Sequence, residues 1–233
     1  MVSVINTIDG NYDQKPAALA AVLPSLFDAL PADKQWLPVV ISGHYLPSRT
    51  TLVRNRSFGG YPGFEQLVPF VTDQNTVVII DRGWIATGNS HDSPDNVPLP
   101  SGAEQSLVGR LMPGEAALNR TAPPGQIPSI DLPTLATMNS AQTYVNAYLL
   151  LDHESLKQPQ AKVLPKPSYG EGNHLSYAIQ WIIFGVLAFA TLFWAVRKEM
   201  QFYRAANDPS FVIKSRRKSA VDNDADVEDE LLS

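Results

Sequence analysis

The chain contains no cysteine in 233 residues. Disulfides, iron–sulfur clusters, zinc ribbons and thiolate copper sites are therefore all excluded. Methionine is scarce, four residues without clustering, which also disfavours a copper chaperone. No G-x-S-x-G, no H-E-x-x-H and no phosphate-binding glycine loop followed by Lys-Ser/Thr occurs. Ser, His and Asp are present but in no local pattern that defines a triad, so the expectation is a protein that is not an enzyme. An excess of basic charge is lacking too. Residues 1–177 carry 11 Lys+Arg against 15 Asp+Glu, and residues 178–233 carry 7 against 8. A nucleic-acid binder with a basic face does not fit those counts. The opening MVSVINTIDGNYDQKPAALAAVL has no basic leader followed by an apolar core.

What the chain does have is one long apolar run. Ala178 to Val196 reads AIQWIIFGVLAFATLFWAV, nineteen residues without a charge. As a helix this run is roughly 28 Å long, about the hydrocarbon thickness of a bilayer. Buried core helices rarely run so far without a polar face, and Trp181 and Trp194 sit near the ends, where indole rings favour the headgroup level. Arg197 and Lys198 follow at once, then Arg204, Lys214, Arg216, Arg217 and Lys218, whereas Ser168–Tyr177 has no Lys or Arg. Positive charge stays on the cytoplasmic side, so the expected localisation is the cell membrane, with the C-terminus cytoplasmic and residues 1–177 outside. An exported N-terminal domain needs a signal or an earlier span, so an upstream transmembrane helix is expected in the full gene product.

Before the span the pattern is mainly β. An amphipathic helix is expected within Pro16–Leu30, from Leu19, Val22, Leu23, Leu26, Phe27 and Leu30 at spacings of three and four. Strands are expected at 36–45, 51–56, 64–72, 76–81, 105–111 and 143–152, with FGGYPG and DQN as turns and VVII as the clearest buried run. A short helix is expected at Leu132–Asn139, and 113–133 is too rich in Pro and Gly for regular structure. The fold class is thus a mainly β extracytoplasmic domain, a barrel or sandwich with one or two short helices, plus a C-terminal transmembrane helix. Its parts are an N-terminal segment at 1–35, a β-rich domain at 36–157, a Pro-rich extended linker at 158–173, the span at 174–197, and a basic then acidic disordered tail at 198–233.

Three stretches carry a family resemblance. ISGHYLPSRTTLVRNRSFGGYPGFEQLVPF, VVIIDRGWIATG and EGNHLSYAIQWIIFG, in that order and spacing, resemble the Surfeit locus 1 family of membrane assembly factors for haem-copper cytochrome c oxidase. The resemblance runs from about Trp36 to Glu199, and the Asp81-Arg-Gly-Trp form with the acidic tail is similar to actinobacterial-type members. An N-terminal transmembrane helix belongs to the family pattern.

The resemblance implies a non-enzymatic role in oxidase biogenesis, with oxidase subunits or assembly intermediates and the bilayer as partners and haem a as a transient cofactor. His174 lies four residues before the apolar span. Positions 174, 177, 181 and 185 recur at helical spacing, so His174, Tyr177, Trp181 and Gly185 can share one face. That face offers an imidazole for the haem iron, an aromatic wall and a glycine where a flat macrocycle can approach the backbone. Arg54, Arg56 and Arg82 are the candidate cations for the propionates. Plainer roles stand beside these: interfacial anchoring for His174, Tyr177 and Trp181, a solvated face for Arg54 and Arg56, and a strand end at Arg82. His44, His91 and His153 are scattered. Two alternatives stay open, an accessory subunit of the oxidase complex that binds no haem and a membrane-anchored substrate-binding domain. A fluorescent protein fused after Ser233 should be fluorescent in the cytoplasm and an alkaline phosphatase fused there inactive; the opposite pair of results would invert the topology.

Overall fold

Strands begin and end where proline, glycine and the alternation of buried side chains dictate, and five of them close into a ring. The computed structural model describes residues 2–90, 92–139, 142–167 and 174–207, and the chain divides into two units, Met1–Ser168 and Tyr169–Ser233. In the first unit the elements are α1 (Val2–Asn11), β1 (Ala17–Ala18), α2 (Leu19–Val22), β2 (Pro38–Tyr45), β3 (Thr51–Phe58), β4 (Tyr61–Thr72), β5 (Val77–Ala86), β6 (Gln105–Pro113), β7 (Gln126–Ile127), α3 (Leu132–Asn139) and β8 (Ala147–Glu154). The second unit holds α4 (His174–Asn207).

β2 serves two neighbours. Pro38 to Gly43 pair with β6, and Gly43 to Tyr45 pair with β4. β4 pairs with β5 and β6 with β8, all antiparallel, and a two-residue parallel contact between β5 and β8 completes the ring. The result is a five-stranded barrel in the order β2–β4–β5–β8–β6, so the mainly β domain is a barrel rather than a sandwich. β3 lies outside on β4, and β7 and β1 add short outer pairs. The hand-over in β2 depends on Gly43. Its φ is 147°, and a Cβ there would stand 1.9 Å from the Val71 carbonyl oxygen. Only glycine lets the two backbones approach so closely.

The VVII run is buried on both faces because two apolar layers meet across it. Val78 and Ile80 face the barrel interior with Val68, Phe70, Leu111 and Leu149. Ile79 faces the other way, with Val53 and Leu67, and is covered by Leu132 and Leu135 of α3. Each of those two leucines contributes about 1.5–3 kcal/mol by burial, enough to hold a helix of only eight residues in place.

Several expectations need correction. The helix expected within Pro16–Leu30 shrinks to α2, four residues long. Pro24 ends it, because a proline disfavours the helical conformation of the residue before it, and Leu23 accordingly has φ −128° and ψ 84°. Leu19 and Leu23 are buried as the periodicity implies, but Phe27 is 69% exposed. α1 has no counterpart among the expected elements. Its β-branched residues are indifferent helix formers, and it is fixed by burial of Ile8 and by Asn11 donating to the Asp33 and Gln35 carbonyls. β5 continues past Asp81 to Ala86. α4 runs ten residues beyond 197, so the tail is helical through Asn207; Lys198, Glu199, Met200, Gln201, Ala205 and Ala206 are good helix formers. The acidic cluster from Asp222 lies outside the described residues. Ser176–Asn207 is long and apolar enough to cross a membrane, with a mean hydropathy of 2.0 in its most apolar window. Gly43→Ala should lower barrel stability by about 3 kcal/mol through strain and overpacking, read as a large drop in the melting temperature of the purified protein.

Candidate functional site

The motif stretches at 54–63 and 81–84 converge because of a tight turn and two bulges. Gly59 and Gly60, with φ of 59° and 84°, make a two-residue hairpin turn that pairs Phe58 with Tyr61 and Arg56 with Gly63. The β3–β4 register shifts between Val53 and Arg56, where Asn55 has φ 58°. On the other side of β4 the register passes from Leu67↔Asp81 to Glu65↔Trp84, so Arg82 and Gly83 together oppose Gln66. Gly83 carries the unusual angle of that bulge, φ 118°. Trp84 is thereby set over Gly63, where a Cβ would stand 2.4 Å from the indole, and its Nε1–H donates to the Arg56 carbonyl at 2.9 Å. Phe58 lies 5.8 Å from the indole, centroid to centroid.

Successive residues of β5 then reach two separate polar clusters. Asp81 belongs to the first, with Arg56, Glu65, Glu115 and Tyr148. Arg56 pairs with Glu65 at 2.9 Å and Glu115 at 2.6 Å, and Glu115 also accepts the Ile130 N–H at 2.9 Å. Asp81 is buried and accepts the Gly83 N–H at 2.9 Å. Burial, reinforced by the charge of Glu65, holds its carboxyl well above the usual range. Burial and the neighbouring Asp81 carboxyl likewise push the Tyr148 phenol up. Three carboxyls around one guanidinium thus keep Asp81 in its neutral form more readily than an exposed aspartate.

Arg82 and Glu154 form the second cluster. They pair at 2.9 Å with both side chains fully buried. Arg82 also donates to Gln66 Oε1 at 3.2 Å and to the carbonyls of Pro98 and Pro159, each at 3.0 Å. Glu154 accepts from Tyr45 at 2.7 Å and from Gln158 at 2.6 Å. Burial raises the Glu154 carboxyl, but the bonds from Arg82, Gln158 and Tyr45 outweigh it and hold it below the usual range. Burial, with the adjacent Glu154 charge, pushes the Tyr45 phenol far up.

The candidate residues are therefore distributed rather than gathered. Arg82 has no exposed surface to offer a propionate, because strand alternation turns it inward on the face of Val78 and Ile80 and its donors are already engaged. Arg54 and Arg56 are half-buried while Asn55 and Ser57 are exposed, as strand alternation implies. Arg54 pairs with Asp92 and donates to Gln126 Oε1 at 3.1 Å, so both surface arginines are already neutralised. In the second unit, Tyr177 and Trp181 are 60% and 70% exposed, Gly185 has open space where a Cβ would stand, and Phe184 meets Trp181 edge-on at 6.1 Å. His174 is the first residue of α4, and its side chain lies outside the described residues. His44 and His153 each face a single carboxylate, Glu104 and Asp152, and His91 lies outside the described residues. Glu154 and Glu115 carry no sequence signal of their own; Tyr45 and Glu65 lie within the first motif stretch, but nothing there marks them as partners of Arg82 and Arg56. Glu154, for example, is 72 residues from Arg82.

A small β barrel, with a helix apolar enough to cross a membrane further along the chain, defines the class: a barrel domain with a candidate membrane anchor. Residues 3–186 match the SURF1 family model, and the chain belongs to that family. It is 34% identical over 185 residues to uncharacterized SURF1-like proteins of Mycobacterium bovis and Mycobacterium tuberculosis, covering 76% of this chain and 66% of theirs. The match begins well before Trp36 and takes in α1 from its second residue and the first 13 of the 34 residues of α4.

A carboxyl with a raised pKa binds its proton more tightly in the folded than in the unfolded chain. Its contribution to stability is therefore full at low pH and is lost as pH rises through the folded pKa. Asp81→Asn retains the acceptor for Gly83 and removes that loss. Its melting temperature should exceed the wild-type value by more at about pH 8 than at about pH 5; an equal gain at both would mean that Asp81 is charged throughout.

Proposed function

We propose that this protein is an assembly factor for haem-copper cytochrome c oxidase, held in the plasma membrane with its barrel outside and its C-terminus in the cytoplasm. Membership of the SURF1 family carries this reading. Its partners are oxidase subunits or their assembly intermediates. Within that role the His174 face of α4 shelters or delivers haem a. The exposed rings of Tyr177 and Trp181 and the open backbone at Gly185 suit a flat apolar group, and the nineteen uncharged residues that follow Tyr177 suit its lipid-like tail. When bound, such a group would supply an iron centre; the chain's part is to offer the His174 imidazole as ligand and to exclude water with Trp181.

A second reading, an accessory subunit that binds no haem, is favoured by the engagement of all three candidate arginines in internal ion pairs. The two separate in one experiment. Full-length protein co-expressed with haem a synthesis and purified in detergent should show a red-shifted Soret band that His174→Ala abolishes without loss of folding. A colourless protein that still co-purifies with oxidase subunits would leave assembly standing and remove haem handling.

A further inference from the structure

The Pro-rich segment after β8 reads in the sequence as a spacer, yet from 158 to 166 it is bonded to the barrel at every few residues. Gln158 Nε2 and Gln160 Nε2 donate to Glu154 Oε2 at 2.6 and 3.1 Å. The Pro159 carbonyl accepts from Arg82, and Gln158 Oε1 accepts the Ser101 N–H at 2.7 Å. Ala161 is buried. Lys162 and Trp84 exchange both backbone hydrogen bonds, at 2.8 and 2.9 Å. Beneath that bridge lies Gly83, where a Cβ would come within 2.3 Å of the Lys162 carbonyl oxygen. Lys162 Nζ sits 4.5 Å from the centre of the Phe58 ring. Finally Lys166 reaches back to Asp13 at 2.9 Å and lies 5.0 Å from the ring centre of Tyr12.

These contacts share one hub. Glu154 is the last residue of β8, so it stands where the chain leaves the barrel, and its carboxylate receives the donors of both the barrel and the departing segment. We infer that residues 158–166 are a strap, seated on the buried Arg82–Glu154 pair through Gln158, Pro159 and Gln160, and that the strap can leave the barrel while that pair stays closed and the barrel stays folded. With the strap seated the chain departs from the first unit at Lys166; with it released the departure point is Ser155, which still bonds to Ser106 of β6. The eleven steps of chain from Ser155 to Lys166 correspond to about 40 Å when extended. Two tether lengths ahead of α4 are thus built into one sequence. The inference does not depend on whether α4 handles haem.

The strap can be tested on the full-length protein in detergent. The Lys162 side chain is exposed, but cleavage of the Lys162–Val163 bond requires the backbone bridge to Trp84 to open. Trypsin cannot use Lys166, which precedes proline. Gln158→Ala combined with Gln160→Ala removes two donors to Glu154 and leaves the buried pair intact. This variant should raise the rate of Lys162–Val163 cleavage at least about tenfold, since cleavage tracks the open population. Amide hydrogen exchange in β4 and β5 should stay at the wild-type rate. Wild-type cleavage rates in the double variant would overturn the inference. So would cleavage that rises only together with exchange across β4 and β5, because strap and barrel would then open as one unit.

Discussion

Burying a guanidinium and a carboxylate together is tolerable only when their remaining donors and acceptors are met, and the first unit is arranged around meeting that condition for Arg82 and Glu154. The pair draws on four strands and two loops: Tyr45 from β2, Gln66 from β4, Arg82 from β5, Glu154 from β8, and the carbonyls of Pro98 and Pro159. Each of these groups would cost energy if left alone in the interior. Together they fix where β5 and β8 lie beside one another, and the parallel contact that closes the barrel, Ile80↔Leu149 and Asp81↔Leu150, falls next to them. Two loops that otherwise have few apolar anchors are held by the same cation.

The bulge at Arg82–Gly83 makes this possible. Strand alternation sends Asp81 toward Arg56, Glu65, Glu115 and Tyr148, and Arg82 toward Tyr45 and Glu154, so adjacent residues serve opposite sides of the sheet. The extra residue then re-aims Trp84 over Gly63 and exposes a stretch of β5 backbone that Lys162 pairs with. The Asp-Arg-Gly-Trp sequence is in this sense a structural device. The acid and the base enter separate clusters, the glycine lets a second chain segment cross, and the indole ties β5 to β3.

Such a division bears on function. The barrel's charged side chains among the candidates are matched internally, while α4 presents exposed aromatic and aliphatic side chains along its length. Within the proposed role, α4 is thus the part that offers exposed apolar surface, and the barrel is the part whose candidate cations are already paired.

The apolar run at 178–196, the six longer strands and the short helix at 132–139 were legible in the sequence, because each depends on local periodicity or on unbroken apolar composition, whereas the two-residue β1 and β7 were not. The family, too, could be read from three ordered motifs. Helix α1 was not legible, since its residues have weak intrinsic preference and Ile8 is buried only by tertiary contact; the failed helix at 16–30 was decided by Pro24, a single residue that periodicity alone overlooks. Arg82 was visible as a candidate cation, but its partner Glu154 lies 72 residues away and no spacing joins them. The sequence by itself determined which segments are strands and which can enter a bilayer, because those properties are set by neighbouring residues. Only the tertiary structure decided which arginine is buried, which carboxyl is pushed above its usual range and where the chain leaves the barrel, because burial and charge pairing are relations between residues that meet only when the ring of strands has closed.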